Sequence, residues 1–262
     1  MSWREELKNI ARETSPLIMQ RPGEVLSKEG HANFVTDIDL SIQAQLKKRL
    51  SALVPGSHFI GEESENELLG GAPTWIVDPV DGTTNLIHDC RWSAVSIALC
   101  EGGQPCAGLI WQPYTGEMFF AEAGKGAFLN DAPIRVSQNA LPDALVAFGT
   151  APYNAELSQQ SMRAALCFLT HCADIRRAGS AALDLAYVAC GRADIYFELI
   201  LKPWDYAAGA LLVKEAGGCF MTPFEGGKDS APVWDRPAGV FASNAVCREQ
   251  ALALLMKSSG QS

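Results

Sequence analysis

The segment Trp75-Ile76-Val77-Asp78-Pro79-Val80-Asp81-Gly82-Thr83-Thr84-Asn85 is an apolar run that ends abruptly in two acids, a glycine and two hydroxyls. That order suits a strand that delivers carboxylates at its end. Asp78 is held at the strand terminus, Pro79 stiffens the turn and Asp81 follows three residues on, so two carboxylates can converge on one cation. Gly82 lets a ligand approach the backbone, and Thr83-Thr84-Asn85 can open a helix whose free N–H groups accept a phosphate. An ordinary Asp-Pro turn is the bland alternative, and it leaves the apolar approach and the two threonines unaccounted for.

Two further segments carry acids to similar places. Phe59-Ile60-Gly61-Glu62-Glu63-Ser64 is a short strand with acids at its end, followed by Glu65 and Glu67, which read as solvated surface. Lys202-Pro203-Trp204-Asp205-Tyr206-Ala207-Ala208-Gly209 sets Asp205 at the start of a helix rich in small residues, where a capping role and a ligand role can coexist.

The elements that position these groups follow from periodicity. Trp3, Leu7, Ile10 and Ala11 mark a first amphipathic helix, and Ile38, Ile42, Leu46, Leu50 and Leu53 a second, which Thr36 and Asp37 cap. After Pro55-Gly56 the runs shorten. His58–Ile60, Trp75–Val77, Val95–Cys100, Pro105–Trp111, Met118–Ala121, Gly126–Leu129 and Leu145–Phe148 are predicted strands of a mainly antiparallel sheet. From about residue 155 helices and strands alternate: helix to His171, strand near Ile175, helix Ala181–Ala189, strand Asp194–Glu198, helix Tyr206–Ala216, strands, and a closing helix. The fold class is layered α/β, expected as two parts sharing one sheet system, about 1–140 and 141–262, within a single domain.

Composition narrows the function classes. Hydrophobic residues make up 48% and charged residues 19% of 262 residues, which is a globular balance. The apolar run Ala94–Cys100 is too short to cross a bilayer, and Glu5 and Glu6 stand where a signal peptide would be apolar, so a cytoplasmic location is expected. A net charge of −9 repels a phosphate backbone, which argues against a nucleic-acid substrate. The eight cysteines form no Cys-x-x-Cys pair and read as buried thiols, and His31, His58, His88 and His171 show no ligand spacing. Spaced acids of an EF-hand loop are also missing.

Taken together, Gly61-Glu62-Glu63-Ser64, the Asp78–Asn85 block and Trp204–Gly209 resemble the signature motifs of the inositol monophosphatase family. Asn33-Phe34-Val35-Thr36 with Asp39, Gly179-Ser180-Ala181-Ala182 and Glu215-Ala216-Gly217-Gly218 extend the likeness over nearly the whole chain. Arg176–Asp184 is similar to bacterial members. The resemblance implies an α-β-α-β-α sandwich, a homodimer and sensitivity to lithium. It also implies two Mg²⁺ ions, one held by Glu62, Asp78 and the Val80 carbonyl, the other by Asp78, Asp81 and Asp205, an all-oxygen set that suits magnesium rather than zinc.

By the same resemblance the N–H groups of Gly82 and Thr83 grip the phosphate. Thr83, backed by Asp39 and with Glu62, orients and activates the attacking water. Asp81, the Ala181 N–H and Glu198, seven residues before Asp205, face the hydroxyls of the leaving group. Read alone, Asp39 is a helix-start acid, Glu198 a solvated strand-end glutamate and Lys28 a solvated surface lysine. The expected activity is hydrolysis of inositol monophosphate. A same-fold phosphatase acting on fructose bisphosphate, histidinol phosphate or a 3′-phosphonucleotide is the nearest alternative, and a regulatory protein using the fold as a surface is the other.

Overall fold

Leu7, Ile10 and Ala11 recur at helical spacing, and they form the buried stripe of α1 (Trp3–Arg12), which Ser2 caps. The computed structural model describes residues 2–28, 33–64, 71–223 and 234–258. His31, Glu65 and Glu67 lie outside them. A short α2 (Ser15–Ile18) leads to a small hairpin of β1 (Val25–Ser27) and β2 (Phe34–Thr36). Thr36 then caps α3 (Asp37–Leu53), and its capping-box partner is Asp39, which buries its carboxylate where a helix-start acid would ordinarily meet water.

A first sheet follows: β3 (His58–Gly61), β4 (Thr74–Asp81), then, after α4 (Thr83–Ile87), β5 (Ala94–Glu101), β6 (Gln104–Gln112), β7 (Glu117–Glu122), β8 (Gly126–Leu129) and β9 (Ala132–Ile134), paired in chain order. All its pairs are antiparallel except β3 with β4. Chain order then continues through β10 (Leu145–Phe148), α5 (Ala155–Leu169), β11 (Asp174–Arg176), α6 (Ala181–Ala189), β12 (Ile195–Leu201), α7 (Pro203–Glu215), β13 (Cys219–Met221), β14 (Ala238–Ser243) and α8 (Arg248–Ser258). The second sheet has the order β11-β10-β12-β14-β13.

Two expectations are corrected here. Leu145–Phe148 does not extend the antiparallel sheet: it is β10, parallel to both β11 and β12, because helical crossovers return the chain to the same end of the sheet. The described strands also form two sheets and a hairpin instead of one shared sheet.

Strand alternation shows how the layers stack. Trp75, Val77, Ile97 and Leu99 face a cluster with Leu7, Ile42 and Leu46 of α1 and α3, whereas Ile76, Ala98 and Ile110 face α6 and α7. Tyr196, Val240 and Ala242 of the second sheet join that same central cluster, while Ile195, Phe197 and Phe241 pack outward on α5 and α8. The result is the expected α-β-α-β-α sandwich, and strands buried on both faces read as near-continuous apolar runs. Close approach sets the residue size in the middle layer: a Cβ on Gly108 of β6 would sit 2.8 Å from the Ala208 carbonyl of α7. No helix among the described residues is long and apolar enough to cross a membrane, and all eight cysteines are free thiols.

Candidate functional site

In a regular strand, residues three apart point to opposite faces, so Asp78 and Asp81 would diverge. The register of β4 on β5 corrects this. Asp78 pairs with Ser96 and Asp81 with Ala94, so two residues of β4 oppose one of β5, and this bulge brings the two carboxylates to the same side. Gly82 follows at φ +92° and turns the chain into α4, with the Ser93 hydroxyl donating to its carbonyl at 2.9 Å. Asn85 Nδ2 then donates to the carbonyls of Trp92 (2.8 Å) and Ala178 (3.0 Å), tying this turn to the loop before α6.

The second sheet's helices supply the rest. Ser96, opposite Asp78, donates through Oγ to the Trp204 carbonyl at 3.1 Å, which docks the first turn of α7 beside the β4 end. Asp205 accepts from the Lys202 N–H at 2.7 Å as a capping acid and still reaches the cluster. Asp78, Asp81 and Asp205 each place an oxygen within 4.8 Å of the others. At the start of α6, the Ala182 N–H donates to Asp81 at 2.8 Å, and the Ser180 hydroxyl bonds the same oxygen.

Burial pushes Asp78 and Asp205 well above the ordinary carboxylate range, and the charge of Glu62 and of the other aspartates pushes them further. Asp81 is raised to about 7 by burial, with the Ser180 and Ala182 hydrogen bonds opposing. Buried like charges at this spacing fit a divalent cation, which would neutralise them. No histidine or cysteine among the described residues lines the cavity, so the donors are oxygens throughout.

Glu62 faces the same cavity, but its Oε1 accepts from Lys28 Nζ at 2.9 Å, and Glu63 also pairs with that ammonium. The solvated-surface reading of Lys28 is therefore corrected: its side chain is 22% exposed and it is the counter-ion of both glutamates. The signal was weak because the ion pair joins residues 34 apart with no pattern between them.

Thr83 Oγ1 donates towards Asp39 Oδ1 (3.0 Å) and the Val80 carbonyl (3.2 Å). Asp39, fully buried, also accepts from the Thr36 N–H at 2.9 Å; burial raises its pKa while the Thr36 and Thr83 hydrogen bonds oppose that rise. The cavity, about 1090 Å³, runs from this cluster to Ala181 and Glu198. Glu198 is not solvated as its sequence position suggested: it is 8% exposed, accepting from the Tyr196 hydroxyl (2.7 Å) and the Ala151 N–H (3.2 Å). The sequence placed Asn85, Ser180 and Asp184 inside motifs but gave their side chains no role; Ser180 alone carried a local signal, as a serine ahead of a helix.

A layered α/β fold that gathers buried aspartates at a strand end, next to a glycine turn opening a helix, defines a divalent-metal-dependent phosphoryl-transfer enzyme. The chain belongs to the inositol monophosphatase family, whose model matches residues 3–260. It is 43% identical over 209 residues to inositol-1-monophosphatase of Rhizobium meliloti (strain 1021), covering 77% of this chain and 76% of that one. To Nus factor SuhB of Vibrio cholerae it is 38% identical over 239 residues, 88% of each chain. The crystal structure of extragenic suppressor protein suhB from Bartonella henselae superposes with a TM-score of 0.87 at 35% identity, covering 97% of this chain and 98% of that one. The chain is thus a phosphatase of this general type.

Proposed function

We propose that the enzyme hydrolyses inositol monophosphate to inositol and phosphate with Mg²⁺ as its cofactor. The observation that carries this reading is a single cavity with buried Asp78 and Asp81 and half-buried Asp205 at one end and Glu198 with the start of α6 at the other. Residues of both sheets line it, which supports one catalytic unit over 1–262 with parts of about 1–140 and 141–262. Asp78, Asp81, Asp205, Glu62 and the Val80 carbonyl would hold magnesium, which supplies charge neutralisation for the phosphoryl group and acidity for water. Glu62 joins that set by leaving Lys28.

The protein's own groups do the positioning. Thr83 donates to Asp39, so the lone pairs of its Oγ1 remain free to accept from the attacking water and fix its direction. The proton released passes towards the Thr83–Asp39 pair. The first N–H groups of a helix lack intrahelical partners, so those of Gly82 and Thr83 can hold the phosphate oxygens. Asp81, the Ala181 N–H and Glu198 meet the hydroxyls of the departing polyol. Phosphate release measured with magnesium across inositol 1-phosphate, fructose 1,6-bisphosphate, histidinol phosphate and a 3′-phosphonucleotide tests this. Inositol 1-phosphate gives the highest kcat/KM, and a tenfold preference for another ester overturns the assignment.

The likeness to a protein named a Nus factor favours a second reading, in which the fold also serves as an interaction surface. A protein retained at fixed stoichiometry by the Asp78→Asn variant supports it; retention of none removes it.

A further inference from the structure

At the leaving-group end of the cavity, two buried carboxyls are treated differently. Each oxygen of Glu198 already accepts one hydrogen bond from the protein. The carboxyl of Asp184, a residue 5% exposed, makes no hydrogen bond and no ion pair among the described residues. It stands on α6 three residues after Ala181, on the same helix face, and its oxygens stay open to the cavity. A first-turn acid already gains from the helix dipole at the surface, and the extra gain on burial is smaller than the cost of desolvating a carboxylate, so the dipole does not account for burying it. An unpaired buried carboxyl is costly, and it calls for a partner that arrives with a ligand.

The surroundings say what that ligand offers. Burial, Asp81 and Glu198 raise the Asp184 pKa, while the Arg177 guanidinium lowers it. Arg177, an exposed residue, lines the same cavity and has no protein partner among the described residues, so its guanidinium is free to donate to a ligand. An acceptor and a donor face one space. A hydroxyl can donate to a carboxylate and accept from a guanidinium at once, whereas an ammonium would be repelled by Arg177 and an apolar group would leave both unpaired.

We propose that Asp184, with Arg177 on the lining of the same cavity, forms a further specificity subsite that binds hydroxyls of the leaving group, separate from Glu198. The subsite rests on the polyol reading above and adds that α6, as well as β12, selects the alcohol.

The test compares kcat/KM for inositol 1-phosphate, glycerol 2-phosphate, glucose 6-phosphate and p-nitrophenyl phosphate in the wild type, Asp184→Asn and Asp184→Ala, with melting temperatures alongside. Asp184→Ala lowers the ratio of polyol to aryl kcat/KM at least tenfold, and it raises the Ki of free inositol against aryl hydrolysis by a similar factor. Asp184→Asn, which keeps the shape and one acceptor oxygen, falls between, and neither variant melts below the wild type. A ratio within twofold of wild type in both variants overturns the subsite, as do equal losses on all esters with a lowered melting temperature. If the wild type prefers a different polyol ester and the variants erase that preference, the inositol assignment falls and the subsite stands. A wild type with no preference for polyol over aryl esters overturns both.

Discussion

Asp194 and Asp78 are both buried beside strands, one just before β12 and the other at the bulge in the second half of β4, yet their surroundings are opposite. Asp194 accepts from the Leu145 N–H at 2.6 Å, from the Ser137 hydroxyl and from Asn244 Nδ2 at 3.3 Å, so its charge is met on both oxygens. Leu145 starts β10, Asn244 directly follows β14 and Ser137 lies in the loop after β9, so the aspartate clips β10, β12 and β14 of the second sheet together with that loop. Asp78 accepts from the Val80 N–H at 2.9 Å, and its other neighbours are acids. A buried acid surrounded by donors holds a fold together. Buried acids gathered around each other, with too few donors, destabilise the protein until a cation joins them.

The largest expected effect follows directly. Asp78→Asn lowers kcat more than a hundredfold at saturating magnesium, because no neighbour replaces the lost ligand charge. The fold survives, and in a chelating buffer the variant melts no lower than the wild type, since one of several mutually repelling carboxylates is gone. Activity within tenfold of wild type would remove Asp78 from the metal set.

The contrast between the two aspartates was only partly legible in the sequence. The apolar run into Asp78 and the small-residue helix after Asp205 were visible because local patterning makes them, and so were α1, α3 and α6, whose apolar spacing is regular. The β4 bulge left one mark on β4, Pro79, which a regular central strand excludes, but by sequence alone that proline reads equally well as stiffening a turn at the strand end. The same holds for β10, whose four apolar residues suit a parallel or an antiparallel neighbour equally. Lys28 with Glu62 and the open carboxyl of Asp184 depend on contacts across the fold, where residue type alone favours a solvated surface or a helix-start acid. Asp194 gave no sign of its network for the same reason.

Next in size is Thr83→Ala, which lowers kcat by tens of fold up to about a hundredfold and leaves KM within a fewfold. The lost hydroxyl orients the water, while the backbone N–H groups still hold the phosphate. A raised KM with unchanged kcat would make Thr83 a binding residue instead. Asp194→Ala moves the other coordinate. Leaving the Leu145 N–H, Ser137 and Asn244 without their acceptor costs about 2–3 kcal/mol of stability, read as a lowered urea midpoint, with kcat of the folded fraction retained. Loss of kcat without loss of stability would break the division between the two regions.

Glu198→Ala is intermediate between these regions, since Glu198 has protein donors and also faces the cavity. A hydrogen bond to a charged group is worth about 1.5–3 kcal/mol, so kcat/KM for inositol 1-phosphate falls roughly ten- to a hundredfold, and by at least tenfold more than for an aryl phosphate. Equal losses on both esters would place Glu198 with Asp194, as a structural acid.

The smallest effect is a pH dependence of stability in the metal-free protein. Asp81 holds its proton up to about pH 7 when folded, against about 3.9 for an aspartate in an unfolded chain. Between those values the folded state binds more protons than the unfolded state, so stability falls as pH rises from about 4 to about 7 and levels off above the folded value. Asp78 and Asp205 shift in the same direction. From pH 6 to pH 8 Asp81 alone contributes a loss of about 1 kcal/mol, or roughly 2–4 °C of melting temperature for a chain of this size. Scanning calorimetry in a chelating buffer at the two pH values measures it. Saturating magnesium narrows or reverses the gap, because a cation binds the ionised acids and stabilises the folded state most where they are deprotonated. Asp194→Ala keeps the slope and Asp81→Asn lessens it, which separates the cluster from the general repulsion of a chain with net charge −9. A melting temperature independent of pH over this range, or a slope that Asp81→Asn leaves intact, would mean that the crowded carboxylates already have counter-charges within the protein and need no cation.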